Sequence, residues 1–329
     1  MANRNPSVDI AKFVAAIFVI GIHTRPLSDI SEIADFFLCD IIFRTAVPFF
    51  AVCTGYYISK KIRSNGYEPI LRMAFRVLLL YVGWSLFYLI ILSFSWKKSG
   101  YLSINSYVGW CKSFLIGGSY FHLWYLAQLF WALLLFCPIV KYVPDKYRII
   151  LAAILWIIDV FVYVYSDILG VGSSFVHFYY YTGAITGSAG RLLPLLLIGN
   201  LIATRQIRSK IIVRFGSFIC FLGLVLEVLL INNLGAERFS YVLFTFPLSG
   251  FVFMSVIGID TSGHYNTRVL SKVSMNIYMI HPAVIFICGL LNIKSPFLLF
   301  WVTTLVSSFL CVSYELLKKN SYYSCSFRS

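Results

Sequence analysis

Ten mostly apolar stretches divide this chain almost from end to end, at roughly 8–25, 36–59, 73–95, 122–140, 148–166, 190–204, 211–231, 239–259, 273–292 and 296–317. About 20 apolar residues in a helix are needed to cross the hydrocarbon core of a bilayer. Lipid offers no partner for backbone N–H and C=O groups, so a spanning segment must satisfy them internally. The runs predict an all-α, polytopic transmembrane helix bundle of about ten spans. The sixth is the weakest, short and interrupted by Gly199-Asn200, so counts from nine to eleven fit. The longest polar interruptions, 96–121 and 167–189, are rich in Ser, Gly and Tyr.

Composition agrees with this. The 329 residues are 60% hydrophobic and 12% charged, with a mean hydropathy of +0.83, whereas soluble domains carry about 25% charged residues. That length accommodates one membrane domain, 1–317, and a short polar tail, 318–329. The first run leads into His23-Thr24-Arg25-Pro26 rather than a small-residue cleavage site, so it reads as a retained span. The net charge of +14 would suggest nucleic acid in a soluble protein. Here the basic residues cluster between apolar runs, as cytoplasmic loops do, which argues against that class. With the N-terminus in the cytoplasm, seventeen Lys and Arg fall on the cytoplasmic side and seven outside, with Lys12, Arg44 and Arg76 inside spans. That bias predicts both termini in the cytoplasm and an even number of spans. The acidic first loop, with Asp29, Glu32 and Asp35, would then lie outside. The eight cysteines show no CxxC or paired spacing, so no disulfide framework and no metal site is expected.

Ionisable residues at membrane depth are costly and tend to be functional. Lys12 and His23 lie on the first span, eleven residues and about 16 Å of helix apart. They are only about 20° apart around its axis, so they share a face toward opposite membrane surfaces. Asp9, three residues before Lys12, can pair with it. A histidine can serve as general base or carry a group near neutral pH. A cation at the cytoplasmic mouth can hold a phosphorylated donor. Arg72 and Arg76, at i and i+4 entering the third span, suit the same task. Arg44 falls inside the second span, where Pro48 and Gly55 should bend or thin the helix. His122 and Trp124 mark the outer end of the fourth; Trp124 reads as an interface anchor, while His122 can line an external acceptor cleft. The ninth carries Ser274, Asn276, Tyr278 and His281.

Taken in order, "DIAKFVAAIFVIGIH", "PFFAVCTG", the basic entry to span three, "FHLWYL" and "SMNIYMIH" resemble the acyltransferase-3 family of multi-pass membrane O-acyltransferases. Its pattern opens with Asp-x-x-Arg and a His eleven residues after the Arg. It continues with a "PFFF-x-x-SG" span, an "HLWFL"-like span and a late "SLGIYLIH"-like span. This chain departs from it at Lys12 for Arg, Thr54 for Ser and Asn276 for Gly.

The resemblance implies an enzyme transferring groups other than aminoacyl groups. It would move an acyl group, acetyl in the first instance, from cytoplasmic acyl-CoA to a hydroxyl of a cell-envelope or exported glycan or lipid-linked sugar. His23 would be the catalytic base or acyl carrier. Lys12, Arg72 and Arg76 would bind the donor, and Asp9, Arg44, His122 and His281 would line the substrate site. Location in a bacterial cytoplasmic membrane is implied. Some relatives carry a further extracytoplasmic or racemase domain; with the chain running out just after its last span, neither is expected. A rival from another class is a transporter or anchor module for a small polar substrate, like the membrane part of serine racemase-type resistance proteins. Buried Arg44, Glu227 and His281 would then mark its path.

Overall fold

A computed structural model describes residues 5–170, 174–205, 209–235, 241–260 and 267–326. Arg4, Arg208, Arg238, His264 and Arg328 therefore lie outside the described residues. In chain order the helices are α1 (Pro6–Thr24), α2 (Glu32–Asn65), α3 (Glu68–Ser99), α4 (Ile104–Ile116), α5 (Trp124–Tyr142), α6 (Asp145–Tyr165), α7 (Ser174–Tyr181), α8 (Gly183–Thr204), α9 (Lys210–Asn233), α10 (Thr245–Ile257), α11 (Arg268–Leu290) and α12 (Pro296–Ser326). No strand occurs among the described residues. Three helices contain a π-helical stretch: Phe37–Ile42 in α2, Phe161–Tyr165 in α6 and Ser188–Leu192 in α8. Such stretches appear frequently at functional sites.

Among the described residues nine helices are long and apolar enough to cross a membrane, one fewer than the ten expected. The difference is α10. Its 13 residues rise only about 20 Å, short of a hydrocarbon core. Glu227 explains where it begins. This buried carboxylate accepts the backbone N–H groups of Leu243 (2.8 Å) and Phe244 (3.0 Å) and the Tyr165 hydroxyl (2.8 Å). An anion at a helix N-terminus satisfies donors that no turn of helix can reach. Glu227, read as a marker of a translocation path, is thus engaged in capping α10. Two further elements escaped the hydropathy reading. The helix α8 starts at Gly183 rather than 190, because its first turns are Gly-, Ser- and Thr-rich yet helical. The helix α4 fills part of the polar interruption 96–121, and Ser103 caps it through Ser106 N–H.

The chain divides into two compact units, Asn3–Phe50 with Ser255–Ser329, and Ala51–Met254. In the first, α1 packs on α11, and α11 on α12. Their core holds Ala16, Ile20, Val273, Ile277, Phe300 and Cys311. Asn5 caps α1 by accepting the Ser7 N–H (2.9 Å), while its amide donates to Ile257 O (3.0 Å).

In the second unit, the Ala51–Asn65 part of α2 packs against α8 backbone to backbone. A Cβ on Gly55 would overlap the Leu196 backbone, and one on Gly199 would overlap the Val52 carbonyl. Small residues permit such close approach between membrane helices. The expected thinning at Gly55 is thus a packing surface. Gly55→Ala should lower stability by about 1–3 kcal/mol, since backbone cannot swing aside. Gly83→Ala in α3, where a Cβ meets nothing within 4 Å, should leave stability equal or up to about 1 kcal/mol higher. Thermal unfolding of the detergent-solubilised variants separates these outcomes, and equal midpoints would contradict the close approach.

Candidate active site

The site is built in the first unit around the end of α1. His23 lies in its last turn and is exposed. Gly21, two residues earlier, leaves the space into which the Phe43 ring fits, and Phe43 also stacks on Phe18 at 4.7 Å. This contact sets the register of α2 against α1. It carries the next residue, Arg44, to a position from which its guanidinium acts electrostatically on His23.

From the other side comes His281 of α11, fully buried, its ring stacked on that of His23 with centroids 5.4 Å apart and 22° between planes. Its Nδ1 lies 3.1 Å from the Ile277 carbonyl. A carbonyl only accepts, so Nδ1 carries the proton and the ring plane is held.

Behind Arg44 runs a chain of alternating charges. Arg44 pairs with Asp40 (3.0 Å), Asp40 with Arg25 (2.8 Å), and Arg25 Nε with Asp35 (2.7 Å). Both carboxylates are buried. Asp35 also accepts the Leu27 N–H at 3.0 Å. Arg25 caps α1 in the left-handed region (φ 48°), its N–H donating to Gly21 O. A non-glycine residue holds that conformation at a cost of roughly 1–2 kcal/mol, offset here by two carboxylate partners. The result is a fixed cation beside an accessible imidazole backed by a buried one. That is equipment for moving a proton while stabilising negative charge.

Of the residues expected in a site, His23, His281 and Arg44 come together. Asp9 and Lys12 lie further back on α1. Asp9 is buried and accepts the Thr267 hydroxyl at 2.8 Å, and Lys12 is half-buried. Arg72, Arg76 and His122 belong to the second unit. Arg72 and Arg76 are exposed, with Arg72 held by Glu68 at 3.0 Å. His122 is buried among the rings of Tyr88, Tyr120 and Phe121. The sequence reading missed Asp40, Arg25 and Asp35. Asp40 carried a usable signal, an acid within an apolar run four residues before Arg44.

A second buried ion pair joins Asp159 and Arg191 (2.9 Å) in the second unit, across α6 and the π-helical stretch of α8. Arg191 is buried in α8, its guanidinium 4.2 Å from the centre of the Tyr163 ring and 5.7 Å from that of Tyr241. Tyr179 donates its hydroxyl to Asp159.

An acyltransferase domain model matches residues 5–315, nearly the whole chain. This chain belongs to the acyltransferase-3 family. The match and the nine long apolar helices together support a membrane acyltransferase. Partial similarity extends to two Enterococcus faecalis proteins described as amino-acid racemases. One is 28% identical over 155 residues, 47% of this chain and 21% of that protein. The other is 29% identical over 131 residues, 38% of this chain and 18% of that protein. A serine/alanine racemase from Enterococcus gallinarum is 29% identical over 159 residues, again 47% of this chain and 22% of that protein. The matches thus span only about a fifth of these relatives' length. No solved structure matches this chain.

Proposed function

We propose that this acyltransferase moves an acetyl group from cytoplasmic acetyl-CoA to a hydroxyl of a cell-envelope or exported glycan. The observation that carries the reading is the meeting of His23, His281 and Arg44 at one end of α1 in a member of this family. In the transfer, His23 takes the proton of the acceptor hydroxyl as its oxygen attacks the thioester carbonyl. The negative charge that develops on the carbonyl oxygen falls beside Arg44. The C–S bond then breaks, and the leaving thiolate takes the proton from His23. Carriage of the acyl group on His23 uses the same atoms in two steps. The buried His281 ring, fixed by Ile277, supports His23 in one orientation.

Lys12 would receive a phosphate of the donor. Lys12→Arg should therefore retain most activity, whereas Lys12→Ala should raise the KM for acetyl-CoA about tenfold or more, the worth of one charge-assisted hydrogen bond. Equal losses in the two variants would remove Lys12 from donor binding. The whole reading is tested by following label from acetyl-CoA into envelope glycan in proteoliposomes. Well-folded protein that labels no hydroxyl-bearing acceptor would overturn it.

A second reading, a membrane module that binds or moves a small polar substrate, draws support from the partial similarity to amino-acid racemases. Uptake of serine or alanine by vesicles, with no turnover of acyl-CoA, would favour it.

A further inference from the structure

The second unit contains a cleft of about 510 Å³ that the acyl-transfer chemistry does not use. Its walls are Trp96 near the end of α3, Gly109, Trp110 and Ser113 on α4, and Ser119, Tyr120 and Trp124 on the approach to α5. Among the described residues no acidic, basic or histidine side chain lines it, so a phosphate or carboxylate would find no ionic partner among them. Broad aromatic faces instead alternate with hydroxyls.

The rings are held in place. Trp110 stacks on Phe114 at 5.4 Å, and Tyr120 on Tyr88 at 4.3 Å. Ser119 donates to Ser85 Oγ at 2.6 Å, which leaves the Ser119 oxygen an acceptor. The Trp110 indole N–H has no hydrogen-bond partner among the described residues. Glycine in a helix interior costs about 1 kcal/mol relative to alanine. At Gly55 and Gly199 close helix approach accounts for that cost. Gly109, in the wall of the cleft, has no such neighbour: a Cβ there would meet nothing within 4 Å.

We propose that this cleft binds a neutral sugar residue. A pyranose has C–H faces that pack on indole and phenol rings and a rim of hydroxyls that bond to Ser113 and Ser119. An alkyl chain would bury those hydroxyls without partners, at roughly 1–3 kcal/mol each. The proposal goes beyond the acyl-transfer reading, because binding here requires neither donor nor His23.

The test is saturation-transfer NMR of the full chain in lipid nanodiscs, with cellotetraose and chitotetraose as probes and an oligogalacturonate as the anionic comparison. Saturable transfer to ring C–H protons of a neutral probe is expected in the unchanged protein and equally in His23→Ala. Gly109→Leu, which fills the cleft from an unstrained position, and Trp110→Ala should each weaken binding about tenfold or more. Unchanged binding in Gly109→Leu, no saturable transfer from either neutral probe, equal binding of the anionic one, or displacement by a dodecyl chain would each overturn it. Intact acyl transfer alongside absent sugar binding would refute the cleft alone. Sugar binding without transfer in the unchanged protein would refute the enzyme reading alone.

Discussion

Replacing His23 by alanine should slow acyl transfer by about 10²–10⁴-fold, the contribution of a positioned general base. Donor binding should be nearly unchanged, because the substitution removes no group assigned to the phosphates. Steady-state kinetics with labelled acetyl-CoA read this as a fall in kcat at constant KM. A complete loss, with no residual rate above background, would point to an acyl group carried on His23. Rate within twofold of the unchanged protein, at equal expression, would remove His23 from the chemistry. The neighbours give the expectation its weight: the exposed ring stacks on an oriented His281 and feels the Arg44 cation.

The largest stability effect is expected at Arg191. Arg191→Ala leaves Asp159 buried without its cation and should cost about 3–5 kcal/mol, read as a large drop in the thermal midpoint of the purified protein. Arg191→Met combined with Asp159→Asn should recover most of that loss. The thioether then packs on Tyr163 and Tyr241, and the amide oxygen still accepts from Tyr179. A single variant that melts with the unchanged protein would show that the pair contributes nothing to stability.

The spans were legible because apolar runs of about 20 residues have few alternatives in lipid. What hydropathy could not register was where polar partners end or extend a helix. Glu227 starts α10 at Thr245, and the Gly- and Ser-rich turns of α8 read as loop although they are buried helix. Within the site, His23 and His281 were visible as costly residues within apolar runs. Their stacking was not, because nothing in local periodicity pairs α1 with α11. The charge chain from Asp35 to Arg44 was hidden for another reason. Its π-helical and 3₁₀ turns break the 3.6-residue period by which faces are assigned.

The pairing of α1 with α11 also sets an order of assembly. Asp9 and Thr267, which bond across it, are 258 residues apart in sequence. At a synthesis rate of roughly 5–20 residues per second, α1 waits about 13–50 s in the membrane before its partner is made. Throughout that interval His23 has no His281 beside it. The growing chain is therefore without the stacked imidazole pair until the late helices arrive, and a nascent or truncated product lacks it altogether.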